Sequence, residues 1–227
     1  MILKHLIITI DGPSGAGKTT VSRILADRLG YRYVDTGALY RGVALEAISA
    51  GLNPDDDAGL EYVLSSLKMK LVYGEKGLRL ISNDSDITDK IRTPEISMFA
   101  SAASARQVVR NFLLKLQREL GREKGAVFEG RDMGTVVFPD ADVKFYLDAS
   151  HKTRSQRRYQ ELKSETSQTL QDVEKDIKRR DKNDSARDLA PLKPAEDAVI
   201  IDSTHLSAKD VVDRMMNVIE NKIIIVF

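Results

Sequence analysis

The chain has no cysteine in 227 residues. It can form no disulfide and no thiolate metal site, and that usage suits a reducing compartment such as the cytosol. Charge of one sign is also missing. The 35 lysines and arginines face 34 acidic residues, which leaves +1. No global basic field draws the chain to nucleic acid, so any anion site must come from local clusters. No apolar run approaches the ~20 residues that span a bilayer. The N-terminal apolar run is short and leads straight into a glycine loop, which is not a signal-peptide pattern. The terminal Ile223-Ile224-Ile225-Val226-Phe227 is too short to span and reads as a buried strand or tail. The three histidines (His5, His151, His205) are scattered, and no His/Asp/Glu metal cage is visible. At 42% hydrophobic and 30% charged, the chain reads as soluble and globular, either one domain with insertions or a core with small appendages, long enough for a substantial core.

What is present begins with Gly12-Pro13-Ser14-Gly15-Ala16-Gly17-Lys18-Thr19, which fits the phosphate-loop pattern G-x-x-x-x-G-K-[ST]. Glycines let the backbone curl so that successive N–H groups point at phosphate oxygens. The following helix adds its positive end. Lys18 would reach the outer phosphates as a point charge, and Thr19 would offer its hydroxyl to Mg²⁺. The flanks fit. Leu6 to Ile10 reads as a buried parallel strand. Val21, Ile24, Leu25 and Leu29 recur at helical spacing, and Gly30 stops the helix.

Further along, Tyr31 to Val34 reads as a second strand. Asp35-Thr36-Gly37-Ala38-Leu39-Tyr40-Arg41 then opens a helix to about Ser49. Here Thr36 is either only an N-cap or a site residue, and Arg41 either a solvated charge or a ligand. A short helix over 55–67 precedes alternating Met69, Leu71 and Tyr73, then Gly74-Glu75-Lys76-Gly77, then Leu78 and Leu80. This is a hairpin, with a third strand around Ile87. An antiparallel hairpin does not suit a parallel core, so it is an insertion. Thr93-Pro94 restarts helix, which runs to about Leu120 with a break near Ser104. Ala126 to Glu129 and Val143 to Leu147 are two more strands. The first delivers Gly130-Arg131-Asp132-Met133-Gly134 to the sheet edge where open α/β sheets bind ligands.

Residues 151–188 carry 11 lysines and arginines against 8 acidic residues and few large apolar side chains. They are either two solvated helices or a basic flap that closes over phosphates. Arg154, Arg157 and Arg158 share one helix face. A last strand over 198–202 leads to a helix that Ser207 and Asp210 cap reciprocally, with Val211, Met215, Val218 and Ile219 buried. No Asn-Lys-x-Asp guanine reader is present, which counts against a GTPase. The length leaves little room for a motor. A second cationic site, for which Arg41, Arg110 and Arg131 are candidates, suits a small-molecule kinase.

At this point the chain resembles the bacterial cytidylate kinases, nucleoside monophosphate kinases of the P-loop class. The resemblance covers about residues 6–222. It rests on Ile10 to Lys18, Asp35 to Arg41, and Gly130-Arg131-Asp132-Met133-Gly134-Thr135-Val136-Val137-Phe138-Pro139-Asp140-Ala141. Arg180-Asp181 with Asp184 and Arg187, Ala190-Pro191-Leu192 and Ile201-Asp202-Ser203-Thr204 add to it. It implies an α/β fold, a three-layer P-loop sandwich around a parallel sheet. A monophosphate-binding insertion with a small antiparallel sheet and a helical lid complete it. The expected division is a core of 1–34, 102–150 and 189–227, a monophosphate-binding domain of 35–101 with the hairpin insertion at about 69–90, and a lid of 151–188.

The resemblance further implies transfer of the γ-phosphoryl of ATP to CMP or dCMP. Lys18, Arg131 and Asp132 take catalytic roles. The ATP side comprises Gly12, Pro13, Ser14, Gly15, Ala16, Gly17, Lys18, Thr19, Thr20 and Arg157, with Mg²⁺ at Thr19. Thr36, Arg110 and Asp132 match positions that read the cytosine edge. Ser101, Arg180 and Asp184 match positions around the ribose. Arg41, Arg131 and Arg187 match the clamp on the acceptor phosphate, and Tyr40 packs beside the nucleotide. Glu129 stands where many relatives have Asp, and its role is open. A cytoplasmic monomer with no nucleic-acid or membrane partner is expected. The alternatives are a kinase for another acceptor, which a substrate panel separates, and a nucleotide-dependent switch or nucleic-acid-binding ATPase, which nucleic-acid-stimulated ATP hydrolysis without acceptor phosphorylation would reveal.

Overall fold

The structure, a computed structural model, describes residues 5–74, 77–163 and 167–224. Ile8, Thr9 and Ile10 are fully buried in β1 (Ile7–Asp11), so both faces of the strand are covered. Gly12, Gly15 and Gly17 make the turn into α1 (Lys18–Leu29) at φ of 150°, 75° and 92°. Gly30 ends the helix at φ 65°, its N–H on the Ala26 and Asp27 carbonyls. Then follow β2 (Arg32–Asp35), α2 (Thr36–Ser49), α3 (Asp57–Ser66), β3 (Met69–Gly74), β4 (Gly77–Ser82), β5 (Ser85–Asp86), α4 (Pro94–Ala103) and α5 (Gln107–Gly121). The chain continues through β6 (Ala126–Gly130), a π-helical turn (Met133–Val137), β7 (Val143–Asp148), α6 (His151–Leu162), α7 (Leu170–Ala186), β8 (Val199–Asp202) and α8 (Ala208–Ile224).

Two compact units result. One holds the residues up to Val34, Gly121–Ala186 and those from Pro191 on; the other holds Asp35–Leu120 with Arg187–Ala190. The first is built on a five-stranded sheet in the order β2-β6-β1-β7-β8. The pairs β1–β6, β1–β7 and β7–β8 are parallel, with Asp11 level with Gly130 and Tyr146. The carboxyl ends of β1 and β6 therefore release Gly12 and Arg131 side by side. Phe128, Phe145, Leu25 and Leu147 fill the core, and the Phe128 and Phe138 rings lie 4.4 Å apart. Ser207 and Asp210 cap α8 reciprocally as expected, and Val212 joins Val211, Met215 and Ile219 on its buried face.

In the second unit α2 packs on α3, α4 and β4. Leu39, Val43, Leu60, Leu80 and Ile91 form its core. The three-stranded sheet β3-β4-β5 is antiparallel. Residues 102–120, which the sequence reading put with the loop core, pack here instead, because Val109 and Leu113 of α5 are buried in this cluster.

Smaller expectations also change. Asp35, not Thr36, caps α2: its Oδ1 accepts the Ala38 N–H at 2.9 Å, and Thr36 is the first helical residue. The third strand ends at Asp86, short of Ile87, whose side chain is buried among the helices. Ile223 and Ile224 extend α8 rather than form a strand. Ile225, Val226 and Phe227 lie outside the described residues, as do Glu75 and Lys76 of the hairpin turn. Among the described residues no helix is long and apolar enough to cross a membrane.

Candidate active site

The phosphate loop is held by close packing. A Cβ on Gly12 would overlap the Leu147 carbonyl oxygen, and one on Gly15 would stand 2.5 Å from that of Arg154. Lys18 is buried, and its Nζ donates to the Pro13 carbonyl at 2.7 Å. Burial, then the nearby Arg131, holds its pKa well below the usual lysine range, against the pull of Glu129. The Thr19 hydroxyl donates to Glu129 Oε1 at 2.9 Å. Glu129 is buried at the end of β6, so the loop's hydroxyl and a carboxylate face one another.

Below the loop sits Asp11. Its two carboxylate oxygens accept the N–H groups of Met133 and Gly134 at 2.9 and 2.8 Å, which holds the start of the π-helical turn. Burial pushes its pKa up to about 6, against those two hydrogen bonds. Asp132, buried, opens the turn at φ −145°. Arg131 donates from Nε to Asp184 of α7 at 3.0 Å and from Nη1 to the Gly130 carbonyl. Arg180 lies one helical turn before Asp184, with Nε 3.9 Å from the same carboxylate.

A cleft of about 800 Å³ opens beside the loop, lined by Ala16, Gly17, Thr20, Val21, Arg157 and Ser203 among others. Arg157 crosses it. Its Nη1 donates to Ser203 Oγ at 2.9 Å and to the Ala16 carbonyl, and its Nη2 to the Ser203 carbonyl. Its lining mixes apolar side chains such as Val21, Leu206 and Val211 with polar groups such as Thr20 and Ser203, which suits a planar heterocycle.

A second cluster lies in the other unit. Arg41 Nη2 pairs with Asp35 Oδ2 at 2.9 Å. Burial raises the Asp35 pKa, but Arg41 and the Ala38 N–H bring it below the usual value. Arg187 Nη1 donates to Ser104 Oγ at 2.8 Å, Arg110 Nη1 to the Ser104 carbonyl at 3.3 Å, and Ser104 Oγ to the Ser101 carbonyl at 2.7 Å. Thr36, Ser101 and Arg110 are buried, and Tyr40 packs on the core.

A family model described as cytidylate kinase matches residues 8–221. This chain belongs to the cytidylate kinase family. A curated cytidylate kinase of Geobacter sulfurreducens is 52% identical over 220 residues, which cover 96% of this chain and 94% of that one. Another, of a Geobacter species, is 47% identical over 219 residues, with the same shares covered. Among solved structures, a shikimate kinase of Acinetobacter baumannii superposes with a TM-score of 0.50 at 17% identity, covering 96% of this chain and 94% of that one. That likeness shows a P-loop kinase fold.

As a member of this kinase family, the chain has its expected site residues in two groups. Lys18, Arg131, Asp132, Arg180 and Asp184 share the first unit with the loop, Thr20 and Arg157. Thr36, Tyr40, Arg41, Ser101, Arg110 and Arg187 belong to the second. Two residues were missed in their roles. Ser104 links Arg110 to Arg187, and the only hint was its position at a helix break. Asp35 both caps α2 and holds Arg41. An aspartate just before a helix is a cap signal, and six residues separate the pair. Among the described residues no group of three His, Cys, Asp or Glu is placed to hold a metal. The donor set at Thr19 and Glu129, a hydroxyl and a carboxylate, is the hard oxygen chemistry that suits Mg²⁺ shared with nucleotide phosphates.

Proposed function

We infer that this kinase transfers the γ-phosphoryl of ATP to CMP or dCMP, giving ADP and CDP or dCDP. The buried phosphate cradle of a cytidylate kinase family member, with Lys18 held inside it, carries this reading. ATP phosphates would replace the Pro13 carbonyl as partner of Lys18. The Lys18 ammonium, disfavoured by burial, would regain full charge against them. Thr19 and Glu129 would hold Mg²⁺, which supplies charge neutralisation on the phosphates. The adenine would enter the cleft beside Arg157 and Thr20.

For the acceptor, Arg41, Arg131 and Arg187 take the phosphate, and Ser101, Arg180 and Asp184 the ribose hydroxyls. Thr36, Arg110 and Asp132 take the cytosine edge, with Tyr40 alongside. Arg131 donates to Asp184 through Nε and to the Gly130 carbonyl through Nη1, and that pairing holds its guanidinium ready for the phosphate. Cytosine presents an amino donor beside the N3 and O2 acceptors. A carboxylate at Asp132 and a guanidinium at Arg110 complement it. Uracil would place a second acceptor against Asp132 and leave buried groups unpaired. The acceptor oxygen is already anionic, so positioning and charge stabilisation carry the rate, and no strong base is needed. The protein acts as a cytoplasmic monomer.

The deciding experiment is coupled ADP production with ATP and Mg²⁺ against CMP, dCMP, UMP and AMP. Turnover with CMP and dCMP and little with UMP or AMP is expected. Turnover with another acceptor would keep the kinase and discard the roles of Thr36, Arg110 and Asp132. Asp132→Ala should lose CMP turnover about 100-fold or more while ATP binding holds. Equal losses in both would remove Asp132 from base reading.

A further inference from the structure

Asp181 stands in the Arg180-Asp181 pair of the sequence, yet no reaction role falls to it. In the structure its Oδ2 accepts from Arg154 Nη1 at 2.6 Å. Among the described residues its Oδ1 is buried with no hydrogen-bond partner, so the carboxylate rests on Arg154. Arg154 is itself buried. Its Nη1 also donates to the Ser14 carbonyl of the phosphate loop at 3.2 Å, and its Nε to the Ala149 carbonyl at 2.9 Å. Asp148 Oδ1 lies 3.8 Å from Nε. The backbone agrees with the side chain, because the Arg154 carbonyl is the group that leaves no room for a Cβ on Gly15.

One guanidinium thus ties the loop to α7, and α7 carries Arg180 and Asp184. Asp181 and Asp184 lie one helical turn apart and meet two arginines, Arg154 and Arg131. The Leu192 N–H also donates to the Asp184 carbonyl at 2.7 Å. The apolar cluster under the hairpin is Leu162, Val173 and Ile177, with Tyr159 beside it. A lysine at 154 would lose the Nε donor to the Ala149 carbonyl, which orients the guanidinium for Ser14 and Asp181.

We propose that Arg154 and Asp181 are positioning residues, a strut that fixes α7 to the phosphate loop and transmits occupancy of the loop to Arg180 and Asp184. Arg154 is committed to the protein and does not bind phosphate. A bound triphosphate that fixes the Ser14 backbone fixes Arg154, and through Asp181 it fixes α7. Linkage makes the effect reciprocal. The nucleotide part rests on the reading of the loop as an ATP site; the strut itself does not.

The test is amide hydrogen exchange on the full chain, read over residues 173–186 with α8 as the internal control. Wild type, Asp181→Asn, Arg154→Lys and the double variant are compared without nucleotide and with Mg²⁺ and the β,γ-imido analogue of ATP. Without nucleotide, each single variant should exchange α7 amides about tenfold faster, with α8 unchanged, and the double no faster than the singles. The analogue should slow α7 exchange in wild type and not in Asp181→Asn. Unchanged α7 exchange in Asp181→Asn, or singles that add in the double, overturns the strut. A wild type whose loop and α7 both ignore the analogue overturns the ATP reading instead, while the nucleotide-free arm still decides the strut. If Asp181→Asn fails to fold, Asp181→Glu keeps the charge and should bring α7 exchange back toward wild type; failure of that rescue counts against the pair.

Discussion

The phosphate loop and the α6–α7 hairpin lie in the same unit and touch through Arg154, yet different forces hold them. The loop is fixed by backbone packing. Gly12 and Gly15 sit against carbonyl oxygens with no space for a methyl group, and Asp11 holds the turn below. The hairpin is fixed by charge. Among the described residues, Leu162, Val173 and Ile177 form its apolar cluster, while Arg154–Asp181, Arg131–Asp184 and the Arg157 bonds to Ser203 do the docking. A region that must present the same N–H groups to every triphosphate gains from rigidity. Side-chain ion pairs over a small apolar cluster resist local opening less than close backbone packing does. Local stability should therefore drop sharply between the two.

That contrast can be tested in order of expected effect. Gly12→Ala attacks the rigid side. Backbone must move to make room, so a loss of about 4 kcal/mol or more in urea unfolding is expected. A loss under about 1 kcal/mol would mean the loop is looser than its packing implies.

Asp11→Asn comes next. The folded pKa of Asp11, about 6, exceeds the ordinary 3.8. The native chain therefore keeps a proton that the unfolded chain releases, and stability from this group, full below about pH 4, is lost as pH rises through about 6. The loss is about 3 kcal/mol. Asparagine has no such titration, so unfolding free energies measured from about pH 4 to pH 7 should move in favour of the variant by up to that amount. A flat difference would place Asp11 in a far more hydrated setting.

On the other side, Leu162→Ala should cost about 2 kcal/mol in opening of the hairpin alone. Hydrogen exchange would show faster α6 and α7 amides with β1 and α8 unchanged. Equal acceleration everywhere would mean the hairpin unfolds only with the whole unit. The smallest effect is at Thr169, whose Oγ1 accepts the Asp172 N–H at 3.2 Å as α7 begins. Thr169→Ala should cost about 1 kcal/mol, again confined to the hairpin.

Much of the fold was legible because local patterns agreed with it. Val21, Leu25 and Gly30 marked α1, Thr93 and Pro94 marked α4, and Ser207 with Asp210 marked α8. The hairpin followed from alternation at Met69, Leu71 and Tyr73 and the glycines after it. The π-helical turn was not legible. Gly130 to Gly134 has no period, and the acceptor that shapes the turn is Asp11, 122 residues away from Met133. The placement of α5 was missed for a similar reason. Val109 and Leu113 announce a buried face without saying which core buries it. In the site, the loop was read from spacing and Arg41, Arg110 and Arg131 stood out as a second cationic site, whereas the individual roles of the other expected residues came through family resemblance. Ser104 and Asp35 escaped because a short polar side chain looks the same whether it caps, links or faces water.

Spacing along the chain was enough for the phosphate loop and the strand–helix alternation, since each of these depends on residues within a turn or two of one another. Folding in three dimensions was needed to set Arg154 between Ser14 and Asp181, Arg131 on Asp184, and Asp11 under Met133 and Gly134. Those contacts join residues from 27 to 140 positions apart. A charge in the sequence carries no record of its partner, and only the packed chain brings the two within reach.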